Sequence, residues 1–499
     1  MSVMVDPFRF LLGAETLAGH FADTLGGEKN VMSISAASDE VLIRDTATPG
    51  NRRLATMAEA LTYTSPSTKY ITNPLGLLEA GTTLRCDHDL ASKTTSTSSV
   101  RLARGSKTFA LAEAYTYAVG DIVRVSVPAY YATTYGVGIV TAASSGAVTI
   151  KIYSVKGSGV WTSWTLIRAR GLLIEEQRTN LLTYSSAFSH GSWIGAGTIT
   201  GDAGVAPDGS MTADRLAFTS VSYAGRLHGI SVVAGTTYTF SVWIYKESGG
   251  GLTRIELAGG VWGVASVYTT TIGDGWQRLT VTGTASGTGA ANVFVYPEYS
   301  VNRTGSYLLW GAQVEVGTFA TSNIETTTST VTRGVDAVSL ATSAFPWNAV
   351  EGSFIETAAT NGYSDPAAQF AYHLEVSDGT SANRLGAWFD NQNLVKGATG
   401  SVVIGASIDP SYATLGIANV YAALGGRTRF GFAYKTDDFA TVANGGTPAA
   451  DNSGSLPTVN GLRFGGSAAV AKRELNGHLL LFKYLPRRIP NAQLQAETV

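Results

Sequence analysis

Two short aromatic runs carry the side chains best suited to chemistry. Tyr238-Thr-Phe-Ser-Val-Trp-Ile-Tyr245 and Asn292-Val-Phe-Val-Tyr296 alternate in side-chain character with the period of a pleated strand. With Tyr238, Phe240, Val242 and Ile244 turned to a core, Trp243 and Tyr245 fall on the opposite face. With Val293 and Val295 inward, Phe294 and Tyr296 also face out, and Trp310 can join them. Arg254 and Glu256 alternate with Ile255 and Leu257 on a nearby strand and supply charged neighbours. A pyranose presents C–H patches framed by hydroxyls, so flat rings bordered by hydrogen-bonding groups make a saccharide platform. The same rings equally suit burial against a neighbouring subunit or domain, because aromatic residues also mark interfaces. Parity assigns a face without assigning exposure.

Residues that would break bonds are not arranged to do so. Glu175 and Glu176, and Asp437 and Asp438, are adjacent. Neighbours on a strand point to opposite faces, so neither pair can flank one glycosidic bond. His20, His88, His190, His228, His373 and His478 lack metal-ligand spacing. There is no Gly-x-Ser-x-Gly elbow, P-loop or dinucleotide fingerprint, and no β-helix repeat. The chain is therefore read as a non-enzyme.

The elements that must position the aromatic runs lie between residues 171 and 340. Short alternating segments there, separated by Gly, Asp, Ser and Thr clusters, predict an antiparallel two-layer sandwich. The stretch opens with Gly171-Leu-Leu-Ile-Glu-Glu-Gln-Arg-Thr-Asn-Leu-Leu, continues through Ala206-Pro-Asp-Gly and Ala213-Asp-Arg-Leu, and closes with Trp310-Gly-Ala-Gln-Val-Glu. This ordered set resembles the carbohydrate-binding-module-like jelly roll of tailed-bacteriophage virion proteins. The resemblance implies a fold and a virion setting and leaves the ligand open. It also implies a structural calcium near the sandwich ends, for which Asp202, Asp208, Asp214 and Glu315 are the carboxylates in place. None has the spacing of a calcium loop, so no metal and no other cofactor is assigned.

In the proteins resembled, a segment like Leu84-Arg-Cys-Asp-His-Asp89 runs almost directly into the Gly-Leu-Leu-Ile-Glu-Glu motif; here the motif begins only at Gly171. The intervening segment is read as an inserted domain whose five or six short strands are similar to a small β-barrel of phage tail and fibre proteins. Its Trp161 and Trp164 are assigned to its core rather than to a sugar platform. A Thr- and Ser-rich stretch, 326–333, reads as a linker. Beyond it, Glu351-Gly-Ser-Phe-Ile-Glu356, Asp378-Gly-Thr-Ser-Ala-Asn-Arg-Leu385 and Asn476-Gly-His-Leu-Leu-Leu-Phe-Lys-Tyr-Leu-Pro-Arg-Arg488 resemble a concanavalin-A-like, laminin-G-like sandwich. There the Pro-Arg-Arg segment starts a terminal helix that Asn491 can cap. Asp390, Asn391 and Asn393 are the compact polar candidates in this unit and read first as a turn.

Composition agrees with short strands and tight turns: 57 glycines, 44% hydrophobic and only 14% charged residues among 499. A net charge of −2 and the lack of a polybasic run argue against nucleic acid and anionic membranes as partners. Cys86 is the single cysteine, so no intrachain disulfide forms. The N-terminus does not read as a signal peptide, and no apolar run is long enough to span a bilayer. Apolar residues at Leu17, Phe21 and Leu25 before Gly26-Gly27 predict one short helix, either a docking or trimerising element or a local cap.

The expected fold is thus all-β and multidomain. Residues 1–97 form an N-terminal particle-attachment region, 98–168 the inserted barrel, 169–342 the jelly roll and 343–499 the laminin-G-like sandwich. The resemblance implies a homotrimeric head or tail fibre or spike, assembled in a bacterial cytoplasm and contacting other virion proteins through its N-terminal region. Host-surface polysaccharide is the expected ligand. A purely structural decoration or adaptor role and a polysaccharide depolymerase are the alternatives.

Overall fold

The computed structural model describes residues 93–362, 371–388 and 427–499, apart from 113–116, 120, 131–132, 381 and 469–470. Strand backbone alone is described at 153–154, 370, 389–390, 401–408 and 411–416, and in the strands between 32 and 92. The helix expected at Leu17, Phe21 and Leu25 lies outside these residues, as do Asn391, Asn393 and the side chain of Asp390.

The chain is all-β. Its only described α-helix is Asn491–Ala496, which starts after Pro490 with no side-chain cap. Asn491 is the first helical residue, not the cap; its Oδ1 accepts a hydrogen bond from Arg488 Nη2 at 2.6 Å.

The C-terminal unit is a sandwich whose first sheet runs Ala449–Asp451, Phe439–Ala443, Thr428–Lys435, Glu351–Thr360, Gly477–Leu485. The second runs Ser411–Gly416, Ser401–Ile408, Asn383–Asp390, Phe370–Ser377, Gly461–Phe464, Ala337–Ala341, Thr62–Thr64. Phe354, Phe430, Phe432, Leu374, Phe464, Phe482 and Tyr484 fill the space between them. The alternate positions Ile355, Ala433, Leu481 and Leu485 are buried too, in a second cluster with Leu494 of the terminal helix.

The sheets do not follow the successive segments read from the sequence. Leu172, Ile174, Val338 and Leu340 belong to this same core although they lie before residue 343. Gly477–Leu485 shares one edge between two partners: Leu172–Ile174 pair with Leu479–Gly477, and Met32–Ser35 pair with Tyr484–Leu481. Met32–Ser35 also pairs with Glu40–Arg44. Arg52–Thr56 extends that ladder, with Leu54 opposite Leu42 in register. The sandwich is therefore assembled from early and late parts of the chain, and the other two units are nested within it.

The smaller nested unit orders its strands Trp164–Ile174, Ile122–Ser126, Tyr135–Ser144, Ala147–Lys156, Gly105–Ala110. Phe109, Val125, Ile150, Trp164 and Leu166 make its core, and Trp164 packs edge-on against Phe109 at 5.5 Å. Trp164 is a core residue, as expected; Trp161 lies at its margin, against the exposed Tyr130. Among the described residues the sheet does not close into a barrel. Gly105–Ala110 pairs on one side only, and the ribbon of Val100–Arg101 with Val160–Trp161 covers the core instead.

The Gly171 motif is a buried polar clasp between units. Glu175 accepts hydrogen bonds from Ser322 N and Oγ, each at 2.7 Å, and from Arg333 Nη1 at 2.5 Å. Arg333 is 0% exposed and also donates to the Glu176 carbonyl. Glu176 pairs with Arg178, and its N–H donates to Asn476 Oδ1 in the C-terminal sandwich. The 326–333 stretch is thus not a loose linker: Val331–Arg333 pairs with Arg178–Asn180, because Arg333 must reach a buried carboxylate. Removing one member of such a pair strands the other charge.

Candidate functional site

The larger nested unit is a jelly roll of two five-stranded sheets. One runs Ile194–Ala196, Gly225–Val232, Gly289–Tyr296, Thr253–Ala258, Ser266–Thr270; the other runs Thr198–Gly204, Ala213–Val221, Arg303–Val316, Thr237–Ser248, Gln277–Thr284. Phe240, Val242 and Ile244 from the second sheet meet Ile255, Leu257, Val293 and Val295 from the first. The inward residues are those parity assigns.

The seven outward residues do not form one platform. Trp243, Tyr245 and Trp310 sit outside the second sheet, whereas Arg254, Glu256, Phe294 and Tyr296 sit outside the first, with the full core between the two sets. Alternation separates inside from outside but does not say which of two outsides a strand supplies.

The second sheet's outer face is sealed. Trp310 is 1% and Trp243 8% exposed, packed with Leu308, Ala206 and Ala213. Trp310 Nε1 donates to Thr212 Oγ1 at 3.1 Å, and Trp276 Nε1 donates to the Val205 carbonyl at 3.2 Å, so the segment holding Ala206-Pro-Asp-Gly is pinned across the rings. Tyr245 packs on Trp276 at 5.7 Å. Gly311 explains the Trp-Gly sequence of the closing motif: it has φ 60°, and a Cβ there would stand 2.7 Å from Asn323 Oδ1. These residues are a satellite core, and Trp243 and Trp310 are corrected to structural roles.

The first sheet's outer face is open. Register places Tyr296 beside Arg254, and Phe294 beside Glu256 and Leu227. Phe294 and Tyr296 stack at 5.8 Å with an interplanar angle of 13°, and Tyr299 meets Tyr296 edge-on at 5.3 Å. Tyr223, exposed, lies 5.1 Å from Tyr299. Gly225 permits this: a Cβ there would lie 2.4 Å from the Val295 carbonyl oxygen and 2.6 Å from Tyr296 Cδ1, so glycine lets both the paired strand and the ring lie close against it. Arg254 stacks over Tyr299 at 4.2 Å and donates to Glu256 Oε2 through Nε at 2.9 Å and through Nη2. Burial, with the Glu256 charge second, pushes the Tyr296 hydroxyl up to about 12. That hydroxyl therefore stays protonated at neutral pH as both donor and acceptor. The result is a row of half-buried rings ending in a charge-balanced, forked polar pair.

Strand period does not mark Tyr299 and Tyr223. Their signal is Glu298, a carboxylate between aromatic residues in Tyr296-Pro-Glu-Tyr299. It is 2% exposed and accepts from Tyr307 Oη at 3.0 Å and Gly250 N at 2.9 Å, with Arg303 at 2.8 Å. This anchor fixes the turn; Tyr299 N then donates to the Leu252 carbonyl and Tyr223 N to that of Ser300.

The four carboxylates considered for calcium do not assemble a site. Asp214 accepts from Ser189 N and Asp202 N, Asp208 from Ser210, and Glu315 from Thr321. Among the described residues no group of three or more His, Cys, Asp or Glu is poised to hold a metal.

No family model matches the chain, and no curated protein matches it. Solved structures similar to it include the Ruminococcus gnavus IT-sialidase CBM40 bound to α2,3-sialyllactose, at 13% identity and TM-score 0.25, covering 30% of this chain and 83% of that one. Mouse laminin α1 domains LG4-5 are 10% identical with TM-score 0.21, covering 55% and 91%. The CBM22-1-CBM22-2 tandem of Paenibacillus barcinonensis Xyn10C is 10% identical with TM-score 0.22, covering 62% and 97%. At scores of this size function rests on the chain's own sheets and side chains.

Proposed function

We propose that this chain is a non-catalytic glycan-binding protein whose jelly roll takes saccharide on the open outer face of its first sheet. The observation that carries this reading is the stacked pair Phe294 and Tyr296, met edge-on by Tyr299, beside the Arg254–Glu256 pair. Rings of this kind take the C–H face of a pyranose, and the fork takes its hydroxyls. Arg254 is already neutralised by Glu256, which favours neutral sugars at this face.

The motif resemblance supports a virion setting for this binding. In this reading the protein is a head or tail fibre or spike of a tailed bacteriophage, adsorbing to host-surface polysaccharide. The same resemblance supports assembly in the host cytoplasm, attachment to other virion proteins through residues 1–97, and a homotrimer. Several copies engaging together raise a weak single-site affinity by about 100-fold to 10000-fold.

A glycan array with the full chain tests the reading, followed by titration of the best ligand against Tyr296→Ala and Arg254→Ala. Binding that both substitutions abolish supports it. An array with no saturable ligand, together with burial of the same face between copies, selects the purely structural role. Release of reducing ends would establish the depolymerase.

A further inference from the structure

We propose that the saccharide face continues past Tyr296 and Tyr299 to Tyr223, and that its ligand is a stretch of linear neutral glycan rather than a single terminal sugar. With one ring for each sugar, that stretch is about three or four residues long. The proposal rests on the open-face reading above and adds to it a subsite and a chain length.

Four rings form one continuous ladder. Phe294 and Tyr296 have centroids 5.8 Å apart, Tyr296 and Tyr299 5.3 Å, and Tyr299 and Tyr223 5.1 Å. Each step is close to the advance of one pyranose along a chain, so successive sugars can each find a ring. Exposure changes along the ladder: Phe294, Tyr296 and Tyr299 are half-buried, whereas Tyr223 is 47% exposed. At that far end Leu252, whose carbonyl accepts from Tyr299 N, and Val301, next to Ser300, are exposed too. An end of this kind lets a chain run on, where a terminal sugar would call for a closed pocket.

The backbone holds Tyr223 there against its own preference. Segments 222–224 and 297–302 carry the chain between the two sheets at one end of the sandwich. Tyr223 N donates to the Ser300 carbonyl at 2.9 Å and Asn302 N to Ser222 Oγ at 3.1 Å, which clamps the two turns together. Ser220, Tyr223 and Asn302 have φ 52°, 52° and 51°. Asparagine tolerates this left-handed region, but a bulky tyrosine rarely adopts it. An exposed ring has no packing need for a strained backbone, and strain of this kind gathers at ligand sites.

Ring orientation sets the shape of the ligand. Phe294 and Tyr296 are nearly parallel, at 13°, but Tyr299 turns 66° from Tyr296 and Tyr223 55° from Tyr299. A flat crystalline ribbon needs coplanar rings, so this ladder suits a soluble chain that twists from one residue to the next. Arg254 is opposite Tyr296 in register and over Tyr299, and Glu256 neutralises it, so the forked pair stands midway along the ladder to take hydroxyls.

Calorimetric titration of the full chain with linear gluco-, manno- and galacto-oligosaccharides, from monosaccharide to hexasaccharide, tests the proposal. In at least one series affinity should rise by about tenfold or more from disaccharide to tetrasaccharide and level off beyond it. Tyr223→Asn keeps a left-handed backbone and removes the ring; it should cost about fivefold or more on the tetrasaccharide and little on the disaccharide, which Tyr296 and Arg254 hold. Tyr223→Phe should bind as the wild type, and microcrystalline cellulose should not retain the chain. Tyr223 is exposed, so both variants should unfold at the wild-type midpoint. Affinity that stops rising at the disaccharide, an unaltered Tyr223→Asn, a Tyr223→Phe as weak as Tyr223→Asn, retention on cellulose, or no saturable member of any series would overturn it. Whether the open-face reading falls with it is decided separately, by Tyr296→Ala against the best ligand of the glycan array.

Discussion

The jelly roll has two outer faces built from the same residue types, and they do opposite work. On one, Trp243 and Trp310 disappear beneath a pinned segment, packed with Leu308, Ala206 and Ala213 in a satellite core. On the other, Phe294, Tyr296 and Tyr299 stay half-buried, and a glycine replaces the bulk that would have lifted Tyr296. The difference lies in what crosses the rings. A loop that buries tryptophan yields stability, whereas a glycine that flattens tyrosine leaves a surface with faces available to a partner. Aromatic content alone cannot tell the two apart; the neighbours of each ring can.

The contrast breaks most easily on the sealed face. Trp310→Ala should cost about 3–5 kcal/mol by denaturant unfolding, while the fraction still folded binds glycan as before. A binding defect without a stability defect would reverse the roles of the two faces. Arg333→Ala, in the clasp, should cost a comparable 3–5 kcal/mol, roughly the penalty for stranding a buried carboxylate. Because Arg333 touches neither face, its loss should lower the unfolding midpoint without changing ligand preference.

On the open face the effects move from stability to binding. Tyr296→Ala should weaken glycan binding by about 2 kcal/mol, roughly 30-fold, with little change in the unfolding midpoint. Gly225→Ala would set a Cβ 2.4 Å from the Val295 carbonyl oxygen as well as 2.6 Å from Tyr296 Cδ1, so it should lower the unfolding midpoint and also cost a few-fold in affinity, about 1 kcal/mol, measured by the same titration. A further effect is in pH. Tyr296 ionises near 12 in the fold against 10.0 for an ordinary tyrosine, so its neutral form is the one the fold favours. The stabilisation is complete below pH 10 and is lost as the pH rises towards 12. The unfolding midpoint of the wild type, relative to Tyr296→Phe, should fall across that window and be flat below it.

Much of this is legible in the sequence, and the rest has identifiable reasons for being hidden. Strand period assigns Phe240, Val242, Val293 and Val295 inward and Trp243 and Phe294 outward, all as found. Period cannot place Trp243 and Phe294 on opposite sides of the molecule, because sheet membership depends on pairing partners far along the chain. The same limit hides the nesting: Leu172 and Val338 look like the ends of the jelly roll but pack with Phe354 and Phe482. The Gly-Leu-Leu-Ile-Glu-Glu motif is recognisable but not its work, since the partners of Glu175 are Ser322 and Arg333, in a stretch whose composition reads as a linker. Tyr299 is invisible to strand period because a buried Glu298, not a strand, holds it.

The central claim is that saccharide sits on the open face and not the sealed one. Hydroxyl-radical footprinting of the full chain, with and without its best glycan, tests this most directly. Phe294, Tyr296 and Tyr299 should be protected by ligand while Tyr245 and Trp276 are not; protection confined to Tyr245 and Trp276 would contradict the account.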